Sequence, residues 1–527
     1  LHSTHYTSLL SLALDSRHFV FSIQMVIHSH FETYGNYFYN VLLFLEEVSW
    51  LFDFPVTRIL STDIFSKIPS EWITPLLSLT NDELNLFPTG ITKEDWPESL
   101  KLFQEQCKRL TLPVLSGSKV NQPDGIFKNI SNEIWRGMSP KKRVEVESLS
   151  SLVHAESQAL NISKIVDVGS GHGYIDRLLL TKDYQILGFE SNMKMINYTL
   201  KHLEKTFPKS TQNYQYVQMS IQSNSLPSVR EAIEKYLFLR QSRNEYSDLS
   251  IDQNGFESKT FPKQTHDIRD TRILSLIGLH ACGDLTIDSM KLFLNLPEVK
   301  LLILVPCCYH KMKSKCESIN ANLEHKNKQM FHNFPASKTL RSAIETRNVH
   351  NILQWPFLRL AGQATWAMWK TYSKEDHESH AFNVLSRAVI QLYSEKGGPQ
   401  IKKFYRSIVT KSDLQRNDFN VYINRTFERC NITNQNTLSS KSDVGEIKKE
   451  LLNLWDEHKN KLKLIEIITG LQMCIESVAE SLVAADRACF LFENGIKDIR
   501  LIKLFDSNIS PRGLVYVATK SNKSFLT

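Results

Sequence analysis

An open, mainly parallel α/β sheet with helices on both faces is predicted for this chain, and three features predict it. First, the stretch Ile165-Val-Asp-Val-Gly-Ser-Gly-His-Gly173 is an apolar run that ends in glycines at every second position. Such a run reads as a buried strand turning directly into a helix. Second, Ile273-Leu-Ser-Leu-Ile-Gly-Leu279 and Leu301-Leu-Ile-Leu-Val305 are continuous apolar runs, the pattern of parallel strands buried on both faces. Third, Ile499-Arg-Leu-Ile-Lys-Leu-Phe505 and Gly513-Leu-Val-Tyr-Val-Ala518 alternate around a short connection, which reads as an antiparallel hairpin.

The glycine stretch organises the chemistry. Glycines at 169, 171 and 173 permit positive φ and let the backbone approach a ligand. A phosphate-binding loop is usually G-x-G-x-x-G. Here the spacing is G-x-G-x-G, with Asp167 two residues before the first glycine, which suits a ligand with an adenosine and an amino-acid end but no phosphate. Asp167 would accept from the ligand ammonium, through water. The next strand, Gln185-Ile-Leu-Gly-Phe-Glu190, ends in an acid 17 residues past Gly173, where a carboxylate takes both ribose hydroxyls in dinucleotide folds. Together, Asp167, Gly169, Gly171, Gly173 and Glu190 resemble motifs I and II of the S-adenosylmethionine-dependent methyltransferases. That resemblance implies a Rossmann-like class I sheet and S-adenosylmethionine as cofactor. In such proteins an acid after strand three often holds the adenine amine, and Val217-Gln-Met-Ser-Ile221 supplies none.

Length and composition set the frame. A chain of 527 residues exceeds one ordinary domain. Its 42% hydrophobic and 23% charged content is that of a globular protein. No run approaches ~20 uninterrupted apolar residues, so no transmembrane helix and no membrane partner are predicted. The net charge of +7 permits a nucleic-acid partner without requiring one. Eight cysteines spread over this length do not make a disulfide framework, which points to a reducing, intracellular setting, cytoplasmic or nuclear.

In chain order, residues 1–24 read as a non-native or disordered leader, with the native start at Met25. Residues 25–130 read as a small N-terminal helical domain, with one helix over 36–54. Ser139-Pro140 is a good helix start, a capping hydroxyl followed by proline. That helix is expected to reach about Leu160. Lys141, Lys142 and Arg143 lie in its first turn, where cations are unfavourable, and Lys142 is a candidate for holding an anionic group of the cofactor. The first part of the core spans 131–312, with a polar loop over 239–270. A helical insertion spans 313–497, between strands five and six, with a loose Asn/Ser-rich connection over 411–445. The hairpin at 498–522 completes the core sheet.

Strands four and five run into His280-Ala-Cys-Gly-Asp284 and Pro306-Cys-Cys-Tyr-His310. Both strings fall at strand carboxyl ends, the edge where ligands bind in open parallel sheets. With Met138-Ser-Pro-Lys-Lys142, Asp167-Val-Gly-Ser-Gly171 and Leu504-Phe-Asp506 with Ser510-Pro-Arg512, they make the chain resemble the methyltransferase-like 25 family, which includes proteins named for a ribosomal-RNA adenine dimethylase domain. The resemblance covers about residue 30 to 520. It implies methyl transfer to an acceptor it does not specify: RNA, protein or a small molecule. The alternative is a scaffold that binds the cofactor without turnover.

His280, Asp284, Cys307 and His310 are the catalytic candidates, expected to converge on one acceptor pocket. His280 and Asp284 stand where a base or its orienting group is needed; their bland roles are a strand cap and a helix cap. Cys307 is read either as a nucleophile toward a pyrimidine carbon or as a small wall of the acceptor pocket. Cys282, Cys307, Cys308, His280 and His310 include enough nitrogen and sulfur for zinc, but they lack C-x-x-C spacing, and no metal is assigned.

Overall fold

A computed structural model describes residues 31–114, 125–127, 130–239, 272–315, 331–363, 366–403, 414, 417–433, 443–506, 508–511 and 513–520. The leader and the 239–270 loop, apart from Leu239, lie outside these residues.

The apolar runs form seven strands: β1 Lys164–Val168, β2 Gln185–Glu190, β3 Tyr214–Gln218, β4 Leu274–Cys282, β5 Val299–Cys307, β6 Asp498–Lys503 and β7 Leu514–Thr519. Their order across the sheet is 3-2-1-4-5-7-6. The first five are parallel, with Val166 opposite Leu187 and Leu276. β7 enters antiparallel beside β5, Ile303 opposite Val517, and β6 closes the edge. This is the class I methyltransferase sheet, mixed α/β with the seventh strand antiparallel.

Side chains alternate across the sheet, as strand geometry requires. Ile165, Ile186, Ile303 and Val517 belong to one apolar cluster, with the helices Pro140–Ala159, Tyr174–Leu180 and Met193–Thr206. Val166, Leu276, Leu304 and Tyr516 belong to the other, with the helices Leu226–Ile233, Leu285–Asn295 and Leu462–Glu493. The predicted start at Ser139 is realised: its hydroxyl accepts from the Lys142 amide at 3.3 Å.

The insertion covers one face of the sheet through Leu462–Glu493. The Tyr516 hydroxyl donates to the carbonyl of Ala484 at 3.2 Å. The helical stretch Val444–Glu493 is long and apolar enough to pass for a membrane span, although polar residues interrupt its apolar runs. Yet 94% of its most apolar window is buried. It is a core helix, and the N-terminal helices pack around it too. The Leu112 amide donates to Ser481 at 2.9 Å, and Gln472 donates to the carbonyl of Leu51 at 2.7 Å. Residues of the N-terminal helices and of the insertion therefore share one apolar cluster. The first N-terminal helix is shorter than its apolar pattern, Tyr34–Glu47, and gives way to short 3-10 turns. In the expected loose connection over 411–445, the helix Phe419–Arg429 leads into Cys430–Thr433, which pairs antiparallel with Gln400–Lys403 upstream; residues 411–413, 415–416 and 434–442 lie outside the described residues.

Val515, Tyr516, Val517 and Ala518 are fully buried. Arg500 of β6 grips Glu156 with two bonds, at 2.8 and 2.6 Å. Burying each large apolar side chain contributes about 1.5–3 kcal/mol, so losing the hairpin removes much of a net stability of ~5–15 kcal/mol. A chain cut at residue 495 is expected to be insoluble or unfolded by circular dichroism. A well-folded, cofactor-binding 130–495 fragment would contradict this placement of the hairpin.

Candidate functional site

The glycine loop adopts the backbone that its composition permits. Gly169, Gly171 and Gly173 have φ of 69°, 57° and 58°, values an L side chain rarely takes. The three positions differ in space. A Cβ on Gly173 would lie 2.6 Å from Thr199 Cγ2, whereas one on Gly171 meets only the carbonyl oxygen of Gly169, at 3.9 Å. Gly173 is therefore required by packing, and Gly171 faces open space. Glu190 closes the loop: its Oε2 accepts from the Gly171 amide at 3.0 Å and its Oε1 from the Asn192 amide at 2.8 Å.

Asp167 is 2% exposed; its Oδ1 meets no N–H donor among the described residues and faces the Asp176 carboxyl, with which it shares a hydrogen bond when one of the two is protonated. Burial, with the Asp176 carboxyl beside it, holds the Asp167 carboxyl well above the usual carboxylate range. Asp176 is pushed up to about 6 by burial, against the hydrogen bond from Tyr216 at 2.6 Å. Two buried acids side by side disfavour ionisation, and an ammonium placed against Asp167 is the group that would relieve that cost. Asp176 was not among the expected site residues. Its signal is an acid between Ile175 and Leu178 on a helix that packs on the sheet.

The second centre lies at the carboxyl ends of β4 and β5. The pairing of these strands slips between Leu279 and Ala281, and His280 in the slip has φ of 115°. A bulge re-aims a side chain, and positive φ on a non-glycine residue is strained backbone of the kind that clusters at functional sites. His280 Nε2 lies 3.3 Å from Glu145 Oε2 and 3.0 Å from Lys142 Nζ. Glu145 is 1% exposed, bonds Lys142, and accepts from the Ser510 hydroxyl at 2.8 Å. Burial pushes the Glu145 carboxyl up, but His280, Lys142 and Ser510 outweigh it and hold it down at about 2. Lys142, expected on the cofactor, is thus engaged at the end of β4.

The two strings also meet each other. Cys282 and Cys307 are paired across β4 and β5, their sulfurs 2.6 Å apart. A Cβ on Gly283 would lie 2.7 Å from the carbonyl oxygen of Lys311. Asp284 accepts from the Lys313 amide at 2.8 Å and from Asn333 at 3.0 Å. Both its oxygens fasten the segment after β5, and it makes no side-chain cap to the helix it precedes. His310 accepts from Trp355 through its carbonyl at 3.1 Å, with the two rings edge to face. His280 and Cys282–Cys307 therefore share one end of the sheet, Asp284 is a tie between loops, and His310 packs against the insertion.

Sequence reasoning missed Glu145. The available signal was a carboxylate beside Val146 and one turn before Leu149, on the buried stripe of its helix.

Residues 141–315 match the methyltransferase-domain family model. The chain carries a methyltransferase domain. It is also distantly homologous to methyltransferase-like protein 25. The mouse protein named "Probable methyltransferase-like protein 25" is 23% identical over 271 residues, covering 50% of this chain and 40% of that one. The human protein of the same name is 23% identical over 318 residues, covering 57% and 46%. The alignments thus span less than half the length of these curated relatives. The methyltransferase domain implies S-adenosylmethionine as cosubstrate. The residues present fit that group, in the buried Asp167 carboxyl, the open space at Gly171 and the Glu190 carboxylate at the loop. The domain contains the glycine loop, His280 and Cys307, together with Lys142 and Glu145.

Proposed function

We propose that this chain is an S-adenosylmethionine-dependent methyltransferase whose acceptor binds at the carboxyl ends of β4 and β5. The observation that carries the reading is the buried Asp167 carboxyl, which faces a second acid rather than a base, beside a loop with open space at Gly171. Bound there, the donor supplies an electrophilic methyl on sulfonium. Asp167 takes the ammonium, Glu190 takes the ribose hydroxyls, and Gly169 and Gly171 let the backbone approach. His280, held by Glu145, is the base that removes a proton from the acceptor. The acceptor belongs to RNA, protein or a small molecule, and the net charge of +7 accommodates the first of these. Eight cysteines spread over 527 residues support a reducing, intracellular setting.

Calorimetry tests the donor half of this reading. The chain should bind S-adenosylmethionine in the micromolar range, and Gly171→Val should abolish binding. The valine would occupy the open space, and its backbone would be strained at φ of 57°. Unchanged binding in that variant would reject the assignment.

A further inference from the structure

We propose that Cys282, Cys307 and Cys308 form a zinc site at the carboxyl ends of β4 and β5. Their three sulfurs lie within 4.8 Å of one another. Two of them are brought together by the sheet, because Cys282 and Cys307 are register partners on neighbouring parallel strands. The third arrives by a backbone turn. Successive side chains of a continuing strand point to opposite faces, so Cys308 would diverge from Cys307. Instead Cys308 has φ of 44°, and that left-handed step brings its thiol back to the other two. Left-handed backbone on a cysteine costs about 1–3 kcal/mol, and convergence of the three thiols is what it achieves.

The dimensions suit a thiophilic cation. Any three atoms within 4.8 Å of one another share a point no more than about 2.8 Å from each, against ~2.3 Å for a zinc–thiolate bond. Cys282 and Cys307, 2.6 Å apart as free thiols, would spread by side-chain rotation as they bind. Each thiol gives up its proton on coordination, so binding releases up to three protons. Cys307 is 5% exposed and the other two are half-buried, so the cluster is not sealed from solvent. Three protein ligands leave the fourth position for water or an acceptor, the arrangement of catalytic rather than purely structural zinc. The metal proposal stands on these contacts whether or not the methyltransferase reading holds.

The test uses the full chain, purified under reducing conditions without chelator. Elemental analysis should find about one equivalent of zinc, and Cys282→Ser and Cys307→Ser should each lose it. Cys107→Ser, in the N-terminal helix Glu98–Leu110, should keep it. If the variants fail to fold, cobalt exchanged into the wild-type chain should show a thiolate-to-metal charge-transfer band. Absence of bound metal and of that band after loading would overturn the proposal. So would mass spectrometry showing a Cys282–Cys307 disulfide in the reduced preparation. Donor binding, measured alongside by calorimetry, reports separately on the methyltransferase reading.

Discussion

Asp167→Asn should abolish donor binding and at the same time raise the thermal stability of the protein. The carboxyl is buried and faces the Asp176 carboxyl, and both causes raise it. The fold disfavours ionisation of this carboxyl while the unfolded chain does not, so the neutral amide removes a cost to the fold. A carboxyl raised above its unfolded value gives its full contribution to stability below about pH 4, and loses it as pH rises through the folded value. Wild type and variant should therefore have similar melting temperatures in acid and diverge toward neutrality, the variant melting higher by several degrees. Binding should move the opposite way. Asparagine cannot form the ion pair with the ammonium, and loss of a charged partner from a buried site costs at least ~2–5 kcal/mol, or about 30-fold or more in affinity. Thermal melts across pH, run beside calorimetry, check both halves. A variant that binds the donor normally would show that Asp167 is a structural acid.

Turnover should fall by about 10²–10⁴ in His280→Ala, the range typical of a lost general base, while donor affinity stays nearly unchanged. The strained φ of 115° and the contacts to Glu145 and Lys142 place this side chain by more than local propensity. Glu145→Gln separates orientation from chemistry. It keeps the shape but removes the charge that faces Lys142 and His280, so turnover should drop while His280 remains present. Stability should drop too, because Glu145 is held down at about 2 by its three partners. A depressed carboxyl contributes its stability above the ordinary glutamate value and loses it as pH falls through about 2. The stability difference between wild type and Glu145→Gln should therefore be largest near neutrality and shrink in acid. Single-turnover kinetics with an identified acceptor, paired with donor titration, read the first effect. Loss of donor affinity in His280→Ala, with turnover unchanged at saturation, would place the residue in the cofactor site instead.

Local pattern alone determined the glycine loop, the order of strands along the chain and the closing hairpin. Each is written within a window of ten or so residues. Gly169, Gly171 and Gly173 are spaced for left-handed backbone, strands four and five read as unbroken apolar runs, and the hairpin alternates. These patterns report burial and backbone freedom, which are local properties. Only the tertiary structure decided which side chains meet. Glu145, His280 and Ser510 are separated by 135 and 365 residues and bond in one buried cluster. Asp167 finds Asp176 because a strand and the helix that follows it pack face to face. The N-terminal helices join the insertion because the helix Leu462–Glu493 is apolar on more than one side and buries both the sheet face and those helices. The slip that strains His280 arises from the register of β4 on β5. Register and packing depend on every neighbour at once, so no single stretch of residues carries them.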